Sequence, residues 1–323
     1  MSWQALVTSR SFRNTPGKHW EILQEAGIEV VDSGVPRALT EDEMIVRMAS
    51  VDGALLGVDP VTSQVIDAAR NLKAISRQGV GIDSVDLAAC TARGIVVTNT
   101  PGTSTSSVAE LAIGLMLALL RHIPQLDRSV RGGAWSRLLG HELTGRTVGL
   151  IGFGHIAQTV AYMLQGFDVE LRYYDPYRPP AEVERKLGAR FVPLDKLLSE
   201  ADVISLHAMH TDDTRRMINR ESLALMKPSA VLVNTARGGL VDEAALAEAL
   251  KRGDLAGAAS DVFDPEPPEG SPLLELDNFI ATAHCGAYTA EANARVAIAA
   301  AQNLADALQG KRPVSTVNPE VFQ

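Results

Sequence analysis

The sequence has 323 residues, more than twice the usual size of a single domain, so we expect two domains. Hydrophobic residues make up 46% and charged residues 21%, an ordinary globular composition that excludes extended disorder. The net charge of −9 and the pI near 5.3 disfavour nucleic acid and anionic membrane surfaces as partners.

Three further features of the sequence bear on its compartment. Cys90 and Cys285 are the only cysteines, too few for a disulfide framework in a chain of this length. The first residues lack the basic and apolar stretches of an export signal. The longest apolar run, 108–120, contains Glu110 and is too short to span a bilayer. We therefore expect a cytoplasmic protein in which this run is a buried helix.

Short β-branched runs alternate with helical patterns through the first hundred residues. This alternation predicts a parallel sheet wound with helices. A long helix should then open with the capping-box pattern of Ser107 and Glu110 and end near Arg121. The expected strands are 5–8, 28–31, 53–56, 73–76 and 95–98, and the helical patterns include 40–49 and 62–69.

A second alternation begins after this long helix. Its expected strands are apolar almost throughout, as strands buried on both faces by crossover helices are. An alanine-rich helical pattern at 289–309 is expected to pack back on the first sheet. The fold class expected is therefore α/β, with two doubly wound parallel-sheet domains. The second set of strands is expected at 147–151, 169–174, 203–207, 230–234, 256–261 and 279–282.

A glycine-rich turn follows the first strand of the second set. Gly152 permits a tight turn, Gly154 lets the backbone approach a pyrophosphate, and Ala157 allows close helix packing. Asp175 ends the next expected strand and would accept hydrogen bonds from the ribose hydroxyls of an adenosine. This order of elements indicates dinucleotide binding. The carboxylate of Asp175 favours NAD over NADP, although Arg178 lies close enough to complicate that preference.

Seven segments of the sequence match one known family in order. They are RQGVGID (77–83), NTPG (99–102), SVAE (107–110), the glycine turn, NTARGG (234–239), DVFDPEP (261–267) and TAH (282–284). With these segments the chain resembles the D-isomer-specific 2-hydroxyacid dehydrogenases, which include D-3-phosphoglycerate dehydrogenase and the glyoxylate/hydroxypyruvate reductases. The resemblance implies a flavodoxin-like substrate domain, 1–99 and 288–323, with an inserted Rossmann NAD-binding domain, 100–287. It also implies a homodimer with the helix at 108–120 in the interface.

The resemblance further implies a catalytic trio of Arg237, Glu266 and His284. Oxidising a secondary alcohol requires a group that takes the hydroxyl proton, and histidine titrates nearest neutral pH. A neighbouring carboxylate orients the imidazole and favours its protonated form. A guanidinium can fork onto the carboxylate and carbonyl of the substrate. We expect His284, Glu266 and Arg237 to take these three roles in interconverting a 2-keto acid and its D-2-hydroxy acid.

The same resemblance assigns residues to two binding sites. The backbone amides of Gly79, Val80 and Gly81 are expected to bind the substrate carboxylate, together with Arg237 and His284. No metal site is expected. The residues expected to bind NAD are Val108, Gly152, Gly154, His155, Ile156, Asp175, His207, Thr235, Ala236, Arg237 and Asp261.

Alternatives to a dehydrogenase of small 2-hydroxy acids stay open. The loop 56–62 has no cation and carries Asp59, which favours glyoxylate or hydroxypyruvate over a phosphorylated acid. Arg10 or Arg37 could still reach the substrate, so D-3-phosphoglycerate dehydrogenase is one alternative. We expect no appended regulatory domain of the kind many phosphoglycerate enzymes have.

Two further alternatives come from the same fold. An NAD-sensing co-regulator would carry partner-docking extensions, of which the sequence shows little. Formate dehydrogenase is disfavoured because formate has no hydroxyl proton to remove. Glu266 also stands where that branch of the family has a neutral amide. Cys285 is expected to be a small packed side chain without a redox role.

Overall fold

The computed structural model describes residues 2–323 and divides them into two compact units. The first unit contains the chain up to Ser104 and again from Tyr288 to the C-terminus, and the second unit is Thr105–Ala287. The chain therefore leaves the first unit, forms the whole of the second and then returns to the first.

The first unit is a five-stranded parallel sheet with helices on both faces. Its elements before residue 105 are β1 (Trp3–Val7), α1 (Arg10–Asn14), α2 (Lys18–Glu25), β2 (Ile28–Asp32), α3 (Glu41–Met48), β3 (Gly53–Leu56), α4 (Ser63–Ala68), β4 (Ala74–Arg77), α5 (Leu87–Ala92) and β5 (Val96–Thr98). The spatial order is β2-β1-β3-β4-β5, and every neighbouring pair is parallel. This is the flavodoxin-like order, so the fold expected for this unit is confirmed.

The helix Ala290–Leu308, here called the C-terminal helix, packs on one face of this sheet. Its residues Ala297, Ala300 and Ala301 have no exposed surface and share a hydrophobic core with Ala5 of β1. Small side chains let a helix approach a sheet closely enough for dense packing. The alanine-rich pattern therefore predicts this packing correctly.

The second unit is a seven-stranded parallel sheet. Its elements are α6 (Thr105–Leu120), α7 (Ile123–Arg131), β6 (Thr147–Ile151), α8 (His155–Leu164), β7 (Glu170–Tyr174), α9 (Ala181–Leu187), β8 (Ala189–Phe191), α10 (Leu194–Glu200), β9 (Val203–Leu206), α11 (Arg220–Leu225), β10 (Val231–Asn234), α12 (Glu243–Arg252), β11 (Gly257–Ser260) and β12 (Phe279–Ala281). The spatial order is β12-β11-β10-β9-β6-β7-β8, with all pairs parallel. Counted from β6, this is the Rossmann order with one added strand, as expected.

The structure corrects the sequence analysis at two places in the second unit. Strand β8 is not predicted, because it has three residues at the sheet edge and the middle one, Arg190, is exposed. Such a segment shows neither an apolar run nor an alternation. The prediction that α6 begins with a capping box of Ser107 and Glu110 is wrong, since α6 begins at Thr105 and the buried Ser107 lies inside its first turn. Several serines and threonines precede Val108, and pattern alone does not select the one that starts the helix.

The apolar run 108–120 lies in α6 and is largely buried in the second unit, as expected. Within residues 2–323, no single helix combines the length and apolar character needed to cross a membrane. Helices α6 and α7 meet that test only when taken together, and they are bent by 63° at the break between them.

His19 in α2 is a buried titratable group of the first unit. Its side chain is 1% exposed, and its ring centroid lies 4.6 Å from that of Phe12. Burial lowers the pKa of His19 below 6.5, and the carbonyl groups of Phe12 and Thr15 offset only part of this effect. The unfolded chain therefore binds more protons than the folded chain as the pH falls below 6.5. Acidification destabilises the first unit through this histidine.

We expect His19→Leu to weaken the pH dependence of unfolding. The free energy of unfolding of the unsubstituted chain should fall between pH 7.5 and pH 5.5. One proton contributes at most about 1.4 kcal/mol per pH unit to this fall. Leucine has no charged form to bury, so the variant should lose less stability over the same range. Urea denaturation at both pH values measures the difference, and equal losses in the two proteins would contradict the role of His19.

Candidate active site

Gly152 forms the turn between β6 and α8. Its φ of +85° lies in the left-handed region, which glycine adopts without strain. A Cβ atom placed on Gly152 would lie 2.5 Å from the backbone nitrogen of Ala208 and 2.6 Å from the carbonyl carbon of His207. Glycine is therefore required here, and the turn packs directly on the segment that follows β9.

The N-terminus of α8 faces open space. Gly154 is its N-cap residue and provides no side-chain hydrogen bond, and a Cβ atom placed on Gly154 would meet nothing within 4 Å. The first amides of the helix, at His155 and Ile156, carry the partial positive charge of a helix N-terminus. This end of α8 fits the pyrophosphate of a dinucleotide, which binds such termini in this fold.

Asp175 follows β7 and holds its carboxylate beside the glycine turn. Oδ2 accepts a hydrogen bond from the backbone N–H of Phe153 at 2.7 Å, and Oδ1 accepts one from the N–H of Tyr177 at 2.8 Å. Each oxygen keeps further acceptor capacity, so the carboxylate can also bind ribose hydroxyls. Its negative charge at this position disfavours a 2′-phosphate.

His207 follows β9 and packs beside Gly152. Its Nε2 lies 3.0 Å from Ser205 Oγ. Burial lowers the pKa of His207 to about 4. The imidazole is therefore neutral at pH 7, and it can offer a cofactor a hydrogen bond but not a positive charge.

Asn234 at the end of β10 shapes the turn that carries Thr235, Ala236 and Arg237. Its side chain is 2% exposed, Oδ1 accepts the N–H of Ala236 at 3.0 Å, and Nδ2 donates to the carbonyl oxygen of Arg237 at 2.9 Å. Because both ends of the amide are bonded, the turn has one defined shape. The sequence analysis gives Asn234 no role. The signal that identifies it is its spacing from Ala236, which is that of an Asx-turn.

Gly238 lets this turn pack on the segment after β11. A Cβ atom placed on Gly238 would lie 2.1 Å from the carbonyl carbon of Phe263. This approach brings the positive charge of Arg237 within electrostatic reach of Glu266. Arg237 Nη1 also donates to the carbonyl oxygen of Ala236 at 2.7 Å.

His284 and Glu266 form a hydrogen-bonded pair. His284 Nδ1 lies 2.8 Å from Glu266 Oε2, and Glu266 Oε1 accepts the N–H of Phe263 at 3.0 Å. Burial raises the pKa of Glu266, but the hydrogen bonds from His284 and Phe263 and the charge of Arg237 outweigh burial and lower it overall. Glu266 is therefore an anion at neutral pH. The His284 side chain is 46% exposed, so the ring is accessible to a reactant.

Asp261 holds the loop that carries His284. The Asp261 side chain is 2% exposed, Oδ1 accepts from the Thr282 hydroxyl at 2.6 Å and the Cys285 N–H at 2.9 Å, and Oδ2 accepts from the Gly286 N–H at 2.8 Å. Between these bonds, His284 has a φ of +49°, in the left-handed region that residues other than glycine seldom adopt. Its N–H donates to the backbone oxygen of Asp261 at 2.8 Å. Asp261 thus positions His284, and its expected contact with a nicotinamide carboxamide stays a prediction.

Val108 and Cys285 lie next to this buried carboxylate. A Cβ atom placed on Gly286 would lie 3.4 Å from Val108 Cγ2 and 3.1 Å from Asp261 Oδ2. Cys285 Sγ lies 3.4 Å from Asp261 Oδ1. Burial, followed by the negative charge of Asp261, raises the pKa of the Cys285 thiol. The thiol stays protonated at neutral pH, which suits a packed side chain and not a reactive one.

In the first unit, Gly79, Val80 and Gly81 follow β4. The N–H of Gly79 donates to Thr100 Oγ1 at 3.0 Å, and the N–H of Thr100 donates to the oxygen of Gly79 at 2.9 Å. These bonds hold the loop in place and use the amide of Gly79. The expected role in binding a carboxylate therefore falls chiefly on the amides of Val80 and Gly81. Val80 is 48% exposed.

Except for Val108, the candidate residues of the second unit all follow the carboxyl ends of its strands. The glycine turn follows β6, Asp175 follows β7 and His207 follows β9. Arg237, Glu266 and His284 come after β10, β11 and β12 in turn. All seven strands are parallel, so these positions share one edge of the sheet, where open parallel sheets bind ligands. The edge combines a dinucleotide-binding turn with an imidazole–carboxylate pair and a guanidinium.

Comparison with known proteins identifies the family of the chain. Residues 113–286, more than half of the chain, match the family described as D-isomer specific 2-hydroxyacid dehydrogenase, NAD binding domain. The D-3-phosphoglycerate dehydrogenase of Methanocaldococcus jannaschii is 44% identical over 92% of this chain, which spans only 57% of that protein. The hydroxypyruvate reductase of Thermotoga maritima is 47% identical over 80% of this chain and 86% of its own length.

Two further comparisons cover nearly the whole chain. The glyoxylate reductase of Thermofilum pendens is 41% identical over 96% of this chain and 94% of its own. The crystal structure of a protein from Thermus thermophilus matches with a TM-score of 0.89 and 40% identity, covering 97% of this chain and 99% of that one. The chain therefore belongs to the D-isomer-specific 2-hydroxyacid dehydrogenases, a family of NAD-dependent oxidoreductases that act on CH–OH groups.

Proposed function

We propose that this chain interconverts a small 2-keto acid and its D-2-hydroxy acid with NADH or NAD⁺, and that the keto acid is of the glyoxylate or hydroxypyruvate type. The observation that carries the proposal is the 2.8 Å contact between His284 Nδ1 and Glu266 Oε2, at the sheet edge that also holds the dinucleotide-binding turn. Membership of an oxidoreductase family favours this function over an NAD-sensing binding module.

His284 is the proton donor in the proposed reduction. Its contact with Glu266 engages Nδ1, so the proton for the substrate oxygen comes from Nε2. When bound, the reduced nicotinamide supplies the hydride that forms the new C–H bond at C2. The carbonyl π electrons move to oxygen, which takes the Nε2 proton. In the reverse direction, neutral His284 accepts the hydroxyl proton.

Glu266 and Arg237 support this proton transfer in different ways. The anionic Glu266 stabilises the imidazolium form of His284 and holds its ring in one orientation. Arg237 binds the carboxylate and carbonyl oxygens of the substrate, which a planar guanidinium can do simultaneously. The role expected for the backbone amides of Val80 and Gly81, in the first unit, stays a prediction.

The loop 56–62 favours an unphosphorylated substrate, because it contains no cation. Its acid, Asp59, does not act as the sequence analysis assumes. The Asp59 side chain is 2% exposed and accepts hydrogen bonds from the N–H groups of Leu39 (2.8 Å) and Gly57 (3.1 Å) and from the Thr8 hydroxyl. Asp59 is thus a buried group that holds the loop. The argument against a phosphate rests on the missing cation and not on repulsion by Asp59.

Two arginines elsewhere in the first unit bear on the same choice. Arg37 forms hydrogen bonds of 2.8 Å and 2.9 Å with Glu43, which compensate its charge. Arg10 donates to a neutral group, the carbonyl oxygen of Pro36, at 3.3 Å. Arg10 and the 44% identity to the Methanocaldococcus enzyme support D-3-phosphoglycerate dehydrogenase as a second candidate.

A homodimer is part of the proposed function. Helix α6, expected at the interface, is largely buried within its own unit. Helix α7 has no buried residue, and the segment after it exposes 81% of Trp135 and 91% of Leu139. Clustered exposed apolar side chains mark association surfaces. We therefore place the contact with a second copy on α7 and the segment 132–139.

Steady-state oxidation of NADH with a panel of keto acids tests the proposal. We expect kcat/KM to be higher for glyoxylate or hydroxypyruvate than for phosphohydroxypyruvate, and higher with NADH than with NADPH. A tenfold preference for phosphohydroxypyruvate would refute the substrate assignment. Equal efficiency with both cofactors would refute the cofactor preference.

Two variants, assayed with the same keto acids, test the choice of substrate and the role of Arg237. Arg10→Ala should lower turnover of phosphohydroxypyruvate relative to glyoxylate if the second candidate is correct, and should leave turnover of both substrates unchanged if it is not. Arg237→Lys keeps a positive charge but loses the planar fork. It should therefore raise the KM for the keto acid by about tenfold, far more than it changes the affinity for NADH.

Glu266→Gln should move the pH profile of keto-acid reduction to lower pH. Reduction needs imidazolium, and the neutral amide no longer stabilises that cation. The pH at which kcat falls to half should therefore decrease, because the substitution removes the carboxylate that contacts His284 Nδ1 at 2.8 Å. The pKa of Glu266 is below its usual value, so the native carboxylate is ionised at neutral pH, where the profile is measured.

The control for this measurement is His284→Ala. It removes the proton donor itself and should lower kcat by about 10²- to 10⁴-fold at every pH. An unshifted profile in the glutamine variant would exclude Glu266 from the proton transfer.

Trp135→Asp should weaken self-association. The substitution places a charge in the proposed contact, and the mass measured by light scattering at micromolar concentration should fall towards that of one chain. Tyr162→Asp is the matched control, because Tyr162 is a 63% exposed aromatic residue on α8. If Trp135→Asp and Tyr162→Asp leave the same mass as the unsubstituted chain, the contact is placed wrongly.

A further inference from the structure

Arg178 lies three residues after Asp175, in the loop that follows β7. In dinucleotide-binding folds, an arginine near this acid can accept a 2′-phosphate. Here the guanidinium is held elsewhere. Its Nη2 and Nε lie 2.8 Å and 3.3 Å from Glu184 Oε1, and its central carbon lies 4.7 Å from the centre of the Phe191 ring.

One partner of Arg178, Phe191, lies on the far side of β7 from the glycine turn. Glu184 is in α9, and Phe191 is in β8, the edge strand beyond β7. The glycine turn follows β6, the neighbour of β7 on the opposite side. The contact with Phe191 therefore places the guanidinium over β8, the strand at the sheet edge.

Glu184 is itself held from two sides. Its side chain is 16% exposed, and it accepts a hydrogen bond from the Tyr173 hydroxyl as well as from Arg178. Tyr173 is fully buried and stacks on Phe153 of the glycine turn, with 4.0 Å between ring centroids. The hydrogen bonds from Tyr173 and Arg178 lower the pKa of Glu184, so its charge persists through the neutral range. A carboxylate fixed in this way holds the guanidinium of a surface arginine in one position.

We propose that Glu184 sets the cofactor selectivity by holding Arg178 away from the 2′ position of the adenosine ribose. Asp175 then faces that position with its charge uncompensated, and the 2′-phosphate of NADPH is repelled. The inference rests on the proposed preference for NADH and identifies the residue that enforces it. Glu184 acts through Arg178, so it is a positioning residue.

Equilibrium binding of NADH and NADPH, followed by nucleotide fluorescence without any keto acid, tests this inference. Glu184→Ala should release Arg178, which can then pair with the 2′-phosphate. The ratio of the NADPH Kd to the NADH Kd should fall by about tenfold, the effect of one new charge-assisted contact. Glu184→Gln keeps an acceptor for Tyr173 and should give a smaller fall in the same direction.

Three further variants separate the released guanidinium from other causes. Arg178→Ala should leave the ratio within about twofold of the unsubstituted chain, because Arg178 does not serve the cofactor there. The double variant Glu184→Ala/Arg178→Ala should lose the gain. Glu182→Ala removes an equal charge from the exposed side of α9 and should leave the ratio unchanged.

The inference is overturned if Glu184→Ala and Glu184→Gln both leave the ratio unchanged, or if the gain survives in the double variant. Survival of the gain would mean that NADPH binds more tightly because the repulsion by Glu184 is lost, and not because Arg178 pairs with the phosphate. If Glu184→Ala does not fold, as judged by its thermal transition, the glutamine variant decides. A failure of the proposed function is recognised separately, as tighter NADPH binding by the unsubstituted chain or as absence of turnover with every keto acid.

Discussion

Burial of the parallel strands on both faces is the constraint on which the rest of the second unit depends. Strands β6, β9, β10 and β11 are buried almost throughout, because helices cover both sides of the sheet. Polar side chains are costly inside such a sheet unless they are paired. The polar residues that bind ligands or react with them are therefore confined to the segments that follow the strands. All strands run in the same direction, so these segments meet at one edge.

Buried polar side chains give the turns at this edge their shapes. Asn234 bonds both ends of the turn that carries Arg237, and Asp261 bonds three groups of the loop that carries His284. The half-buried Asp175 bonds the N–H of Phe153 in the glycine turn. In each case a polar side chain that accepts or donates hydrogen bonds fixes the position of a neighbour that can meet a ligand. Loss of such a residue leaves buried N–H or C=O groups unpaired, which costs more than the bond itself contributes.

The sequence is sufficient to predict the elements and residues that a local pattern of side chains determines. Each apolar strand and the glycine turn are predicted from a few consecutive residues, Asp175 is predicted from its place at the end of the next expected strand, and the family resemblance adds His284, Glu266 and Arg237. Strand β8 escapes prediction because three residues at a sheet edge leave no periodic signal. The contacts of Asp59, Asp261 and Glu184 escape for a different reason. Their partners are tens of residues away or, for Glu184, in another element, and a carboxylate in a sequence does not reveal whether it faces a ligand or a backbone amide.

Charge compensation by glutamate accounts for both selectivities in the proposed function. The chain has a net charge of −9 and yet must bind an anionic cofactor and an anionic substrate. Arg37 is paired with Glu43 and Arg178 with Glu184, so neither guanidinium offers an uncompensated charge to a phosphate. The donors considered for the proposed ligands are the amides at the N-terminus of α8 and Arg237 in the second unit, and the amides after β4 and Arg10 in the first. Amide dipoles act at contact distance, whereas a net charge acts over about 10 Å at moderate ionic strength.

This set of donors matches some anions better than others. The amides at the N-terminus of α8 suit a pyrophosphate, and Arg237 suits the single charge of the carboxylate proposed for the substrate. A 2′-phosphate or a substrate phosphate is a dianion that needs charge-assisted donors once water is removed. The proposed preference for NADH over NADPH and the proposed preference for an unphosphorylated keto acid would thus share one physical origin, since in both units an arginine is bound by a neighbouring glutamate.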